Sequence, residues 1–325
     1  MLQIVLIGIG AGAAAALLFA AVASGTGIAV ILFYFLPLPI LIAALGFSHW
    51  AGLIGALTAA VGLAAYAGFV LPLVFLAAIG LPAWWLGYLA LLARPTGPAE
   101  MEWYPIGRLV LWAVAIGTLL AVSVIPFFGA DDETFRAALK KSLEQALRIQ
   151  TRTPADAPVQ IPGMSNPDRF LDLVVRTLLP AIAVSSTLIY VMNLWLAARI
   201  VRISDRLARP WPDIPSMRFP LLVPGVLAAA IVGSFLPGLL GMASVILVAT
   251  LLTAFAFLGL AVVHVVTRGV NARTFILASL YVAIVLFSFP ISWPLLAMSL
   301  LGLIDTVFDW RGRFASTRGP PAPKT

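Results

Sequence analysis

The first charged side chain in this sequence of 325 residues is Arg94. A helix needs ~20 apolar residues to cross a hydrocarbon core ~30 Å thick, so the uncharged stretch 1–93 has room for four crossings. The remainder agrees, since only 10% of residues are charged, 62% are hydrophobic and the mean hydropathy is +1.07, against roughly a quarter charged and half apolar in soluble domains. The chain is an integral membrane protein. Its apolar runs are continuous and do not alternate over ~10 residues as barrel strands do, so the fold class is all-α, a polytopic transmembrane helical bundle. Ala21-Val22-Ala23 resembles a signal cleavage site, but the start has no basic residue and further spans follow at once, so the first helix is expected to be retained.

Runs bounded by Gly, Pro or charge predict spans near 3–23, 28–46, 50–68, 70–92, 108–128, 173–198, 219–237 and 241–266, with a last apolar stretch over 274–304. Basic residues in short connections favour the cytoplasm. The 199–218 connection holds Arg199, Arg202, Arg206, Arg209 and Arg218, and the 268–273 connection holds Arg268 and Arg273, which puts both inside together with Arg94 and the N-terminus, and 129–172 outside. One crossing over 274–304 would place the basic tail outside. A hairpin turning at 287–294 would return it, with arms of only ~15 residues, and so the expectation is nine to ten spans. The same placement accounts for the net charge of +7 without a nucleic-acid partner.

Residues 131–149 differ in kind. Phe135, Leu139, Ser142, Ala146 and Ile149 recur at helical spacing, acids open the segment and Arg148 lies near its end, which predicts an amphipathic helix lying at the outer interface or serving as a lid. A proline-punctuated linker follows until Asn166-Pro167 supplies a cap and first turn. The expected organisation is N-terminal transmembrane helices over 1–128, an extracytoplasmic helix and linker over 129–168, C-terminal transmembrane helices over 169–304 and a basic, disordered tail over 305–325.

The second span carries an internal conflict. Pro37 and Pro39 have no N–H to give, so a continuous helix would leave the carbonyls of Phe33 and Phe35 unpaired in lipid. The helix must break, and broken membrane helices either line a binding cavity or are plugged by neighbours. Gly46-Phe47-Ser48-His49-Trp50 then reads as a cytoplasmic bend with Trp50 at the interface.

Catalytic chemistry finds little to stand on. There is no cysteine, no glycine-rich phosphate loop and no His-Glu-x-x-His, and the proposed spans hold acids only at their edges, Asp172 and Asp305. His49 and His264 are far apart in sequence, and Ser48 with a distant histidine is a faint match to a membrane serine protease. No enzyme, cofactor or metal is expected. Small residues four apart, Gly8 with Gly12, Ala16 with Ala20, Ala51 with Gly55 and Ala56 with Ala60 and Ala64, allow helices to approach closely. Trp84, Trp85 and Tyr88 form either an aromatic belt or the wall of a pocket, and Asn193 is the main amide of the sixth span, suited to bridging helices or meeting a solute.

Four stretches, LPAWWLGYLALLARP (81–95), EWYPIGRLVLW (102–112), NLWLAARIVRISDRLARPWPDIP (193–215) and DTVFDWRGRF (305–314), resemble the YybS-like bacterial membrane family, a domain of unknown function numbered 2232. That family is grouped with the solute-binding S components of energy-coupling-factor transporters and with the cell-shape protein MreD, and the proline-led segment before a small-residue helix is similar to the early helices of S components. The resemblance implies a bundle that is S-component-like in part and captures a small solute in the bacterial cytoplasmic membrane, with a coupling or ATPase module supplied by other chains. Ala16 and Ala20 would then dock a coupling subunit, and Pro37, Pro39, Trp84, Trp85, Tyr88 and Asn193 are the pocket candidates. The alternative is a non-catalytic scaffold of an envelope or division assembly, docking through Arg202, Arg206 and Arg209. S components typically have six spans, fewer than expected here.

Overall fold

The structure, a computed structural model, describes residues 1–23, 26–97, 100–129, 131–151, 154, 166–287 and 293–316. Most of the expected linker, the centre of the 287–294 turn and the end of the tail lie outside the described residues. The chain is a helical bundle in which, among the described residues, six helices are long and apolar enough to cross a membrane. α1 (Leu2–Ala23) runs against α4 (His49–Ala67), and between them in sequence the second span is divided into α2 (Gly27–Phe33) and α3 (Leu38–Gly46). The fourth span is divided as well, into α5 (Val70–Phe75), a π turn over Leu76–Gly80 and α6 (Leu81–Ala90). A two-stranded hairpin, β1 (Ala93–Pro95) with β2 (Met101–Trp103), precedes α7 (Ile106–Val124). This hairpin is a small departure from the all-α expectation.

α8 (Asp132–Thr151) is the expected amphipathic helix, started by Asp131, whose Oδ1 accepts the Thr134 N–H at 2.9 Å. Its inward face differs from the one predicted. Phe135 and Leu139 are buried against Ile125, Val175 and Leu179, with Leu143 packed alongside, whereas Ser142, Ala146 and Ile149 face outward. A step of four from 135 selects 139 and 143, and the bundle surface reaches only that far. Lys140 ties the helix to α9 through Asp172 at 2.8 Å.

α9 (Pro167–Ile203) is the longest helix, 37 residues or about 55 Å. Asn166 caps it by accepting the Arg169 N–H, and α9 packs on α3, α6, α7 and α11. The expected 219–237 span reduces to α10 (Leu222–Gly233), 12 residues and about 18 Å. The reason is visible in Pro220, Pro224 and Pro237, which punctuate it. α11 (Gly238–Val266) is followed by α12 (Arg273–Leu286), α13 (Trp293–Phe308) and the short α14 (Trp310–Ser316).

Two helix pairs owe their approach to glycine. A Cβ on Gly12 would lie 2.5 Å from the Gly55 carbonyl, so α1 and α4 meet within this chain along the predicted Gly8, Gly12 and Gly55 rows. Gly259 and Gly302 do the same for α11 and α13, where an added Cβ would lie 1.9 Å from the Met298 carbonyl and 2.1 Å from that of Phe255 respectively.

Five connections gather at one end. Arg206 lies over the Phe47 ring, Arg209 reaches the Ala90 carbonyl, Arg268 pairs with Asp213, Arg218 pairs with Asp309, and Arg311 donates to the Pro215 and Met217 carbonyls. The turns after α3, α6, α9 and α11 therefore share this end with α14, as a hairpin of α12 and α13 requires. It is the arginine-rich end, the one that the positive-inside rule assigns to the cytoplasm.

Candidate functional site

Local structure around α9 follows from proline chemistry. Pro82 has no N–H for the carbonyl four residues back, Ala78, and the helix relaxes there into the π turn. The Tyr190 hydroxyl of α9 donates to that carbonyl. One turn along, the Asn193 amide donates to the carbonyl of Tyr34 at 2.7 Å, inside the gap between α2 and α3. The carbonyls expected to be left free at that gap, Phe33 and Phe35, are instead taken by tight turns, from the Leu36 and Leu38 N–H groups at 3.4 and 3.0 Å. The orphan is Tyr34, because Leu38, its normal donor, has been diverted to Phe35. Tyr190 was not among the residues singled out from sequence, although a tyrosine three before a buried asparagine in a span is a legible sign of helix bridging.

Beside these plugs lies a half-open cavity of about 1010 Å³, at the upper end of the ~300–1,000 Å³ of ligand sites. Its walls are apolar faces of α6, α7, α9 and α11, including Leu86, Val110, Leu188, Met192 and Leu260. Along α9 the lining runs from Ser185 to Ala198, ~20 Å of helix. Leu188, Met192 and Trp195 remain 42%, 37% and 48% exposed, so the cavity opens sideways, toward lipid. Segment 207–217 closes its arginine-rich end with Leu207, Arg209, Trp211, Pro212, Ile214 and Met217. Tyr281 of α12 and His264 of α11 meet at 2.9 Å on the remaining side.

Arg209 is the cation of this lining. Its single described bond is to the Ala90 carbonyl at 3.4 Å, and burial pushes its guanidinium down from the ordinary arginine range. Beside it, Trp211 carries the guanidinium groups of Arg202 at 4.9 Å and Arg199 at 5.7 Å over its ring. Pro210 and Pro212 flank Trp211 and stiffen that presentation. The 131–149 helix is no lid over this cavity: α8 packs toward the opposite end of α9, near Val175 and Leu179.

The sequence-derived candidates separate. Asn193 stands behind the wall, fully buried, with its Oδ1 unpartnered among the described residues. Pro37 is buried in the gap between α2 and α3, and Pro39 borders a smaller depression of about 340 Å³ between α1 and α3. Trp84, Trp85 and Tyr88 form an aromatic cluster with His49 and Trp112, away from the large cavity, with ring separations of 5.2 to 6.1 Å. Ala16 is half-buried against the core and Ala20 is exposed on α1. Arg202 and Arg206 are exposed, Arg206 stacked on Phe47 at 4.7 Å. Ser48 caps α4 by accepting the Trp50 N–H at 3.3 Å, and His264 is engaged with Tyr281, so these two have separate partners. Among the described residues no group of three or more His, Asp or Glu is placed to hold a metal.

Residues 13–306 match the family described as "Predicted membrane protein (DUF2232)", and the chain belongs to that family. No curated protein and no solved structure matches it.

Proposed function

For this member of a family of multi-pass membrane proteins, we propose a non-catalytic, solute-binding role: the chain holds an amphipathic small molecule between α9 and α11 and relies on other chains for any energy input. The observation that carries the reading is the sideways-open, apolar cavity with Arg209 and Trp211 at one end. A packed scaffold needs no such space, since interiors are filled to crystal-like density. The resemblance to S components supports a transport subunit of the bacterial cytoplasmic membrane, served by an ATPase module.

Native mass spectrometry of the protein gently extracted from its own membrane tests this. A single non-lipid or single-chain molecule retained at one copy per chain, and lost in Met192→Trp, supports it. Absence of any such molecule, with reproducible protein partners instead, rejects it in favour of an envelope scaffold. One observation favours that second reading: Arg199, Arg202 and Arg206 are held ordered on aromatic rings at the exposed basic end, a surface suited to acidic protein or anionic lipid.

A further inference from the structure

The lining of the large cavity is chemically lopsided. Nearly all of it is apolar, and its arginine-rich end presents a guanidinium with five donors of which one makes a long bond to a carbonyl. Three carboxylates of this end are committed elsewhere: Asp213 to Arg268, Asp309 to Arg218 and Asp305 to Arg311. Among the described residues none pairs with Arg209. A partly buried cation costs free energy unless an anion or several acceptors meet it, and here the desolvation is uncompensated by the chain itself.

We propose that the occupant of this cavity is an anionic amphiphile: its apolar chain lies against α9 and α11, and its oxyanion headgroup, a phosphate monoester or carboxylate, is held by Arg209 beside Trp211. The proposal rests on reading the cavity as a binding site. Three features agree on the polarity of the ligand. Its apolar part enters from lipid past Leu188, Met192 and Trp195; the headgroup lies at the end closed by the 207–217 segment; and Arg199 and Arg202, whose guanidinium groups lie over the Trp211 ring, add positive potential at that end. A cationic headgroup would meet a like charge at Arg209, a neutral one would supply acceptors without a counter-charge, and a free anion would leave the apolar walls uncovered.

The test uses the full chain in phosphatidylcholine nanodiscs and three probes: dodecyl phosphate, dodecyl maltoside and inorganic phosphate. Native mass spectrometry reads occupancy against concentration. Dodecyl phosphate is expected to bind saturably at one copy and at least about tenfold more tightly than the maltoside, the difference a charge-assisted bond makes. Inorganic phosphate should neither bind nor compete at matched concentration. Arg209→Gln should bring dodecyl phosphate down to the maltoside level while leaving the maltoside unchanged, which also reports that the variant is folded, and Arg209→Lys should fall between. Equal binding of both dodecyl probes, insensitive to Arg209→Gln, overturns the anion assignment and leaves the cavity standing. Phosphate alone binding as tightly as its dodecyl ester overturns the amphiphile. If no dodecyl probe saturates, or Met192→Trp does not reduce binding, the cavity reading itself falls and this inference with it.

Discussion

The pair Asp305 and Arg311 joins the end of α13 to α14 and to the 213–218 segment, and its removal should be the most damaging single change outside the cavity. Asp305 is 4% and Arg311 6% exposed. The carboxylate accepts from the Arg311 backbone N–H at 2.9 Å and from Nε at 2.9 Å, and Nη2 approaches it at 2.8 Å, while the guanidinium also donates to the Pro215 and Met217 carbonyls. Three charge-assisted bonds at about 1.5–3 kcal/mol each would sum to about 4.5–9 kcal/mol, an upper bound because such bonds are not additive. Asp305→Ala leaves a buried guanidinium with two carbonyls and no counter-charge, for which about 3–5 kcal/mol is the expected loss. Arg311→Ala should cost about as much, and the double variant clearly less than the sum, with a coupling of about 2–3 kcal/mol. Unfolding free energies in bicelles, by steric trapping, supply the four corners of that cycle. A loss below about 1 kcal/mol for Asp305→Ala, or strict additivity in the double variant, would show that the pair is solvated and that α14 is not clamped to the 213–218 segment.

Three other outcomes follow from named contacts. Gly302→Leu puts side-chain atoms where the Phe255 carbonyl stands, and should cost about 1–3 kcal/mol or more by overpacking; cysteine cross-linking between α11 and α13 that survives unchanged in the variant would contradict the close approach. Tyr190→Phe and Asn193→Leu each leave one part-buried carbonyl without its side-chain donor, at Ala78 and Tyr34, with an expected loss of about 1–3 kcal/mol apiece and faster amide exchange confined to the corresponding break; uniform exchange throughout the bundle is the contrary result. At the start of α8, the Thr134 backbone N–H holds the Asp131 carboxyl below its ordinary value of 3.8. A depressed carboxyl stabilises the fold above its unfolded value and loses that contribution as pH falls through the folded one, so exchange at the first turn of α8 should rise on acidification below about pH 4, and Asp131→Asn should flatten that dependence.

Membrane class and the crowded basic end were legible because lipid imposes strong rules on single residues: an uncharged 1–93, arginines at connections, glycines and alanines four apart. The Gly8, Gly12 and Gly55 rows were readable as faces, though not as a pair until α1 and α4 were seen side by side. Proline also announced the broken second span. What it could not announce was the donor: the sequence shows that backbone acceptors will be orphaned, whereas which one stays open depends on local turn geometry, and Tyr34 rather than Phe33 or Phe35 is the one that α9 reaches. The break at Ala78 was missed because Pro82 lies within one continuous apolar run, 70–92, that is long enough to read as a single span. The cavity was beyond sequence reasoning altogether, since its walls are chiefly unremarkable apolar residues on four separate helices, α6, α7, α9 and α11. Only Arg209, followed by Pro210 and Trp211, marks its end, and in the sequence it reads as a docking charge.

The two breaks have one cause in common. A membrane helix interrupted by proline leaves a carbonyl that lipid cannot satisfy, and two such carbonyls, on α2–α3 and α5–α6, turn toward the same helix. α9 answers both from one face, with Tyr190 and Asn193 a single turn apart. That face is thereby committed to holding α3 and α6 at fixed depth. The faces beside it carry Leu188, Met192 and Trp195, which border the cavity. Proline thus sets where α9 must hold its neighbours, and the cavity lies beside those plugs: Tyr190 answers the break at Ala78 and borders the cavity as well.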